Sequence, residues 1–163
     1  MESQKKFKPV FSIEFFPPKT EEGKAKLVEA REKLAKLHPA YFSVTFGAGG
    51  STQQGTIDTV KEIIDAGYSA APHISCIGST KAKIRQMLED YQQIGVKRLV
   101  ALRGDLPSGM GGVAGEFRYA NELVEFIRNE TGDHFHIEVA AYPEFHPQAS
   151  SAEKDLENFK RKV

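Results

Sequence analysis

A carboxylate near the amino terminus stands in a setting suited to acid–base chemistry. Glu14 occupies the stretch Ser12-Ile-Glu-Phe-Phe-Pro-Pro, whose alternating side chains predict a short strand. Glu14 would project from the polar face of that strand, with Phe16 beside it. Apolar surroundings raise the pKa of a carboxyl group toward neutral pH, which suits a general acid. The alternative is a structural ion pair with Arg103.

A second group of polar residues ends the fourth predicted strand. Arg103 and Asp105 share strand parity, so both side chains could contact one ligand. An arginine there suits a phosphate or an electron-rich ring, and an aspartate suits a developing cation. The alternatives are a salt bridge between the two and an exposed Arg-Gly-Asp adhesion tripeptide. The tripeptide reading is disfavoured because these residues directly end an apolar strand.

The five histidines differ in position. His73 and His146 lie toward the carboxyl ends of predicted strands and are candidates for ligand contacts. His134 and His136 have the i,i+2 spacing of a metal-ligand pair, but they precede a strand, at the end of the fold that usually serves stability. We therefore expect no metal site. His38 lies in a connection and is expected at the surface.

Two glycine-rich segments could bind a nucleotide. Residues 47–52 follow the second strand and lead into a helix, a position that suits binding of an anion or another ligand. The segment lacks the lysine of a Walker loop. Residues 109–114 match G-x-G-x-x-A, but residues 105–108 separate them from their strand, whereas a dinucleotide fingerprint follows its strand directly. We interpret residues 109–114 as a mobile loop over the site.

The last predicted helix carries two stripes at helical spacing. Its apolar stripe, expected to pack in the core, consists of Leu156, Phe159 and Val163. Its polar stripe consists of Asp155, Asn158 and Lys162, with Arg161 adjacent. The preceding loop carries Tyr142 and His146, so we expect the polar stripe to begin close to the site.

The elements that must position these residues alternate along the chain. The predicted strands are Val10–Phe15, Tyr41–Phe46, Ala70–Cys76, Arg98–Leu102 and Ile137–Tyr142. The predicted helices are Glu21–Leu37, Thr52–Ala66, Ser79–Ile94, Phe117–Glu130 and Ser150–Val163, with an N-cap at Ser79 or Thr80 and terminating glycines at Gly67 and Gly95. A strict β-α order predicts parallel strands joined by helical crossovers.

Two α/β architectures fit this order: a doubly wound open sheet and a (β/α)8 TIM barrel. The strands recur about every 30 residues, so five units fill 163 residues, whereas eight need about 250. Several strands show one apolar face and one polar or small face. A doubly wound sheet is covered on both faces and favours continuous apolar strands. We therefore predict the first five β/α units of a barrel, with residues 1–163 as one domain and the carboxyl-terminal units missing.

Composition excludes several classes of protein. The 22 basic and 22 acidic residues balance, which argues against a nucleic-acid or anionic-lipid surface. No secretory signal or membrane-spanning run is evident. A single cysteine, Cys76, excludes a disulfide framework and suits a reducing compartment. These features predict a cytoplasmic protein without nucleic-acid or membrane partners, and they leave a homo-oligomer open.

The motifs together resemble the methylenetetrahydrofolate reductase family. They occur in the family's order and cover nearly the whole chain: Ser12–Pro18, Val44–Ala48, Pro72-His73, Leu102–Pro107, Ala140–Pro147 and Asp155–Lys162. The resemblance implies a (β/α)8 barrel that holds FAD at its carboxyl face. It also implies a ping-pong cycle, in which NADH or NADPH reduces the flavin and methylenetetrahydrofolate then takes the hydride.

The resemblance implies a role for each matching position. Glu14 would be the general acid that helps open the folate ring, and Asp105 would stabilise the resulting cation; both would contact the folate substrate. Thr45 would contact the nicotinamide donor. The matching flavin-binding positions are Phe46, Ala48, His73, Arg103, Gly104, Asp105, Ala120, Tyr142, His146, Ala149, Asp155, Asn158, Arg161 and Lys162.

The chain departs from the family pattern at two places, and two other functions remain as alternatives. Phe46 replaces a more polar aromatic of many members, and the segment 109–115 is unusually rich in glycine. One alternative function is a non-catalytic flavin- or nucleotide-binding module. The other is a metal-dependent barrel lyase whose ligands would be Glu14, His73, Asp105 and His146.

Overall fold

The computed structural model describes residues 9–46, 50–104, 115–147 and 149–163. Within these residues, strands and helices alternate without exception. In chain order they are β1 (Ser12–Phe15), α1 (Glu21–Ala35), β2 (Tyr41–Val44), α2 (Gly50–Asp65), β3 (Ala70–Ser75), α3 (Lys81–Gln93), β4 (Arg98–Leu102), α4 (Ala120–Thr131), β5 (His136–Val139) and α5 (Ala152–Lys162). No helix in this part of the chain has both the length and the apolar character needed to cross a membrane.

The strands form a parallel sheet in the order β1-β2-β3-β4-β5. Each strand therefore pairs with its neighbours in sequence, as the β-α pattern predicts. A flavodoxin-like sheet would instead follow the order 2-1-3-4-5, with a reversal after the first crossover. Among the described strands no such reversal occurs, so the doubly wound alternative is wrong in its flavodoxin-like form.

The chain divides into two compact units, Met1–Pro72 and His73–Val163. In the first unit, Ser12–Phe15 pair with Tyr41–Val44, which in turn pair with Ala70–Pro72. In the second unit, the remainder of β3 pairs with β4, and Arg98–Ala101 pair with His136–Val139. The boundary lies within β3, so this strand contributes to both units.

Capping residues and glycines begin and end the helices where the sequence predicts. The Thr80 side chain accepts a hydrogen bond from Lys83 N at 3.2 Å, which caps α3. Gly67 and Gly95 follow α2 and α3 with φ of 88° and 85°. This left-handed conformation is accessible to glycine at little cost and ends a helix. Both terminating glycines and the Thr80 cap are confirmed.

Each unit has an apolar core made by strands and helical stripes. In the first unit the core includes Phe42, Val44, Val60 and Ile63. In the second unit it includes Ile84, Leu88 and Tyr91 of α3, together with Leu99, Leu123, Ile127 and Phe135. Helical spacing predicts a packing face of Ile84, Leu88, Tyr91 and Ile94; the first three are fully buried, and Ile94 is half-buried.

The first core also contains an arginine that sequence analysis did not identify. Arg31 of α1 is 4% exposed, and its guanidinium lies 3.3 Å from Glu62 and 3.2 Å from Glu32. The same guanidinium lies 5.6 Å from the centre of the Tyr68 ring. Burial of this cation is compensated by paired carboxylates and an aromatic face, which together join α1 to α2.

The predicted strand faces are confirmed only in part. β1 alternates as expected, with Ser12 and Glu14 more exposed than Ile13 and Phe15. All four residues of β2 are buried, including Ser43. Strand pairing protects only the edges of β2. Helix α2 packs against the strand and the Phe42 ring stacks on that of Phe15, so the alternation with Ser43 does not mark an exposed polar face, and that prediction is wrong there.

Several predicted boundaries and packing residues need correction. β1 begins at Ser12, β2 ends at Val44, β3 ends at Ser75 and β5 spans His136–Val139, because the flanking residues leave the hydrogen-bonded ladder. The start of α1 is as predicted, and the other helix ends differ from prediction by one to three residues. Helical spacing predicts that Leu37 shares a packing face with Leu27 and Leu34, but it lies beyond α1 and is 60% exposed. Leu156 and Val163 of the apolar stripe of α5 are 52% and 79% exposed. These three side chains do not pack in a core.

Candidate functional site

The second unit contains a cavity of about 330 Å³ at the carboxyl end of β4. This volume lies within the range of small-molecule sites. Four segments form its walls: the end of β4, the start of α4, the segment after β5, and one face of α5. The lining residues predicted from the sequence are Arg103, Gly104, Ala120, Tyr142, His146, Ala149, Asp155, Asn158 and Lys162.

Arg103 is positioned by the adjoining end of β3. Its carbonyl oxygen accepts hydrogen bonds from Ile77 N at 2.8 Å and from the Ser75 hydroxyl at 3.0 Å. Its own Nε donates to the Gly104 carbonyl at 3.0 Å. These contacts fix the backbone after β4, so the guanidinium is held at the cavity wall.

The backbone conformation directly after β4 requires glycine at position 104. Its φ is 87°, and a Cβ atom added there would overlap the Ser75 hydroxyl and approach Ile77 Cγ2 to 2.6 Å. Any residue with a side chain would therefore adopt a strained backbone conformation, and its Cβ atom would clash with the end of β3. The absent side chain keeps this wall of the cavity close to the sheet.

The amino terminus of α4 forms the second wall. Glu122 caps the helix, because its carboxylate accepts hydrogen bonds from Arg118 N at 2.6 Å and Tyr119 N at 3.4 Å. Ala120 and Asn121 then face the cavity. Sequence analysis missed Asn121, although it precedes Val124 and Ile127 at helical spacing on a buried face. A polar residue on an apolar stripe is a signal that could have found it.

The segment after β5 brings an aromatic pair to the third wall. The rings of Tyr142 and His146 meet edge to face, with centres 4.7 Å apart. His146 N donates to the Asp155 carboxylate at 3.0 Å, and Ala149 N donates to the His146 carbonyl at 2.9 Å. Asp155 therefore fixes this segment against α5.

The polar stripe of α5 forms the fourth wall, as its spacing predicts. Ser151 caps the helix by accepting a hydrogen bond from Lys154 N at 3.1 Å. Asp155, Asn158 and Lys162 lie one turn apart along the cavity. Arg161 is exposed and does not line the cavity in the described residues. Lys154, which sequence analysis missed, also lines it.

Lys162 is half-buried in the cavity wall. Its Nζ donates to the Ala140 carbonyl at 2.9 Å and lies 5.5 Å from the centre of the Phe159 ring. Burial lowers the pKa of Lys162, and the nearby Asp155 carboxylate partly offsets this effect. A bound anion would restore the missing compensation for the ammonium charge.

The lining favours an anionic ligand with a flat ring system. Arg103 and Lys162 supply two cations beside the carboxylate of Asp155, and Lys154 pairs with Glu157 at 2.7 Å. Arginine and lysine bind phosphate oxygens by charge-assisted hydrogen bonds, and aromatic side chains pack against planar rings. A nucleotide combines both of these ligand features.

Three further predicted residues lie in the first unit. Glu14 belongs to β1 and pairs in register with Ser43. Thr45 follows β2, where its N–H donates to the Phe15 carbonyl at 3.0 Å and its carbonyl accepts from the Thr56 hydroxyl at 2.9 Å. Phe46, the next residue, is half-buried.

The apolar environment predicted for Glu14 is not found among the described residues. Glu14 is exposed, and the neighbouring Phe16 ring is 74% exposed. Alternation places Glu14 on the more exposed face of β1, whereas Ile13 and Phe15 are half-buried. Glu14 is therefore accessible to a substrate.

Several predicted residues have other positions. Ala48, Asp105 and both glycine-rich segments, apart from the helical residues after 49, lie outside the described residues. His73 is buried in β3, with 8% of its surface exposed, and does not line the cavity in the described residues. His38 is exposed, as expected.

His134, which precedes β5, and His136, its first residue, contact a backbone carbonyl and a carboxylate. His134 Nε2 lies 3.2 Å from the Val96 carbonyl. His136 Nε2 lies 3.3 Å from Glu138, which also pairs with Arg98. In the described part of the chain, no three metal-binding side chains cluster as they would around an ion.

Comparison with known proteins gives one consistent result. A family model described as methylenetetrahydrofolate reductase matches residues 1–163. The 5,10-methylenetetrahydrofolate reductase of Escherichia coli strain K12 is 45% identical over 153 residues, which cover 93% of this chain and 50% of the relative. The "Methylenetetrahydrofolate reductase (NADH) 1" of Zea mays is 38% identical over 166 residues, covering 94% of this chain and 28% of the relative. The chain thus spans about half the length of the bacterial relative.

Proposed function

Because the chain belongs to the methylenetetrahydrofolate reductase family, we propose that it forms the FAD-binding, amino-terminal part of an enzyme that reduces 5,10-methylenetetrahydrofolate to 5-methyltetrahydrofolate. The observation that carries the proposal is the cavity of the second unit. Nine residues that match flavin-binding positions of the family line this one space, from four separate segments. NADH is the first donor to test, because the name of the maize relative specifies it.

The residues of the cavity fit a flavin nucleotide. FAD, when bound, would take a hydride from the nicotinamide and pass it to the folate in a second step. Arg103 and Lys162 would hold the phosphate charge, with Arg161 at the outer end of α5. Tyr142 and His146 would pack against the planar rings.

The remaining matching positions would shape the site. Gly104, Ala120 and Ala149 lack large side chains, so they leave room for the cofactor. Asn158 offers an amide beside Asp155, which itself holds the His146 backbone. His73, Phe46 and Ala48 would complete the flavin contacts, as the resemblance implies.

Glu14 and Asp105 would carry the chemistry on the folate. Glu14 would donate a proton that helps open the five-membered ring of the substrate to an iminium cation. Asp105 would stabilise that positive charge by a fixed carboxylate. Thr45, held by hydrogen bonds to Phe15 and Thr56, would contact the nicotinamide donor.

The proposal includes the (β/α)8 barrel. Sequential parallel order is the order of consecutive units in such a barrel, and ligands bind at the carboxyl ends of its strands. Residues 1–163 would supply the first five units of one FAD-binding catalytic domain. The single cysteine suits a cytoplasmic location.

The experiment separates the two half-reactions of the flavin-loaded protein. Glu14→Gln should leave the rate of flavin reduction by NADH within about twofold, because this carboxyl acts on the folate. Reoxidation by methylenetetrahydrofolate should fall by at least about a hundredfold. Stopped-flow flavin absorbance measures both rates.

The matched control is Glu21→Gln, an exposed carboxylate of the same unit paired with Lys24, which should change neither rate. Equal loss of both half-reactions in Glu14→Gln would contradict the role of Glu14. Flavin binding without any folate reduction by the unmutated protein would support the non-catalytic module instead.

A further inference from the structure

Lys154 is a cation at the cavity wall that a neighbouring carboxylate neutralises. It belongs to the first turn of α5 and lines the cavity of the second unit. Its side chain is 45% exposed, so a ligand in the cavity can reach it. Its Nζ, however, donates a hydrogen bond to the Glu157 carboxylate at 2.7 Å. Glu157 is not among the described residues that line the cavity, so the charge of Lys154 is paired outside the space that its side chain borders.

The position of Lys154 matches the other polar residues of this wall. Lys154, Asn158 and Lys162 are spaced four residues apart, so they lie on one face of α5. All three line the cavity. Similar exposed pairs on α1 and α2, such as Lys24 with Glu21, involve none of the described residues that line it. Lys154 differs from those lysines in having a ligand space within its reach.

The pair of Lys154 and Glu157 is weak enough to be exchanged. Both side chains are about half exposed, and ion pairs in such a setting contribute little because water screens the two charges. The pyrophosphate of a flavin dinucleotide carries more negative charge than one carboxylate, and it accepts charge-assisted hydrogen bonds in a space from which water is partly excluded. A lysine has a flexible four-carbon stem, so its ammonium group can change partners without movement of the helix.

We propose that Lys154 is a further cofactor-binding residue, which leaves Glu157 when the flavin nucleotide binds and donates a hydrogen bond to a phosphate oxygen of that nucleotide. Glu157 then lowers the affinity for the cofactor, because its carboxylate competes with the phosphate for one ammonium group. The proposal rests on the function proposed above. It adds a third cation to Arg103 and Lys162, and it predicts opposite effects for the removal of the two partners.

The test measures FAD affinity by fluorescence titration of the purified, flavin-free protein at low salt. Lys154→Met keeps an unbranched side chain and removes the charge, so FAD should bind about threefold more weakly. Glu157→Gln removes the competing carboxylate, so FAD should bind about threefold more tightly. A role in folding alone would not give opposite signs, since each substitution breaks the same ion pair.

Three controls show whether the effect of Glu157 passes through Lys154. When Glu157→Gln is combined with Lys154→Met, the second substitution should bring no gain over Lys154→Met alone. Glu153→Gln removes an exposed carboxylate from the same turn of α5 and should leave FAD affinity unchanged. Raising the salt concentration should reduce both shifts in affinity, because both arise from exposed charges.

The outcomes separate this inference from the proposed function. Weaker or unchanged FAD binding by Glu157→Gln would overturn the inference, as would an unchanged affinity of Lys154→Met. An equal gain from Glu157→Gln in the presence and in the absence of Lys154 would assign the effect to net charge and would also overturn it. Absence of FAD binding by the unmutated protein would overturn the proposed function itself, and this inference with it.

Discussion

Tyr91 shows at the residue scale what an unpaired polar atom costs. Its side chain is fully buried, its hydroxyl has no hydrogen-bond partner among the described residues, and burial raises its pKa. Tyr91→Phe removes the unsatisfied group and keeps the ring. We expect the free energy of unfolding to rise by about 1 kcal/mol, which corresponds to a melting temperature a few degrees higher.

Tyr68→Phe is the matched control for that substitution. The Tyr68 hydroxyl donates to Glu32 at 3.0 Å, so its loss should leave stability unchanged or slightly reduced. Thermal unfolding monitored by circular dichroism compares both variants with wild type. A fall in stability for Tyr91→Phe would mean that the hydroxyl has a partner in solution.

Individual residues were predictable where type and spacing agree. The stripe of Asp155, Asn158 and Lys162 follows from helical periodicity, and its three members line the cavity. Arg31 and Asn121 were missed although each is a polar residue on an otherwise apolar helical stripe, because the stripe alone does not show that such a residue is buried. Sequence alone does not show the tertiary partners, such as Glu62 and Tyr68, that decide whether such a residue is buried.

At the scale of elements, the corner after β4 carries the sharpest steric requirement. Gly104→Ala would place a methyl group against Ser75 and Ile77 at a φ of 87°. Gly67 has a φ of 88° and nothing within 4 Å of an added Cβ, so Gly67→Ala isolates the cost of the conformation alone. That cost is about 1–2 kcal/mol.

We expect Gly104→Ala to lose clearly more stability than Gly67→Ala, and also to bind FAD more weakly because the cavity wall must move. Chemical denaturation gives the two unfolding free energies, and a flavin titration gives the affinities. Equal destabilisation by the two substitutions would show that the end of β3 yields to the added methyl group.

Element types were predictable throughout, and β4 has its predicted bounds, whereas β1, β2, β3 and β5 were each predicted longer than they are. Residues such as Phe46 and Tyr142 continue a strand-like pattern, but they lie beyond the ladders that end at Val44 and Val139. Hydrogen bonding to a neighbouring strand decides where a strand ends, and composition does not report it. Of these two residues, Tyr142 lines the cavity.

At the scale of the whole molecule, alternation and strand faces favoured a barrel-type sheet, and the sequential strand order agrees with its first five units. The strand faces were a weaker guide, because β2 is buried on both sides. The sequence analysis also assigned all the candidate site residues to one site. The described residues divide that chemistry between a cavity in the second unit and Glu14, Thr45 and Phe46 in the first.

The central claim is that the cavity between β4, α4 and α5 holds the flavin, and a titration of the purified, flavin-free protein with FAD tests it most directly. Lys162→Met removes a cation from the cavity wall, and Lys160→Met removes an exposed one from the same helix turn. The account predicts that wild type and Lys160→Met bind one FAD per chain with equal affinity, and that Lys162→Met binds about tenfold more weakly. Equal affinity of all three proteins, or binding of a divalent metal without flavin, would contradict it.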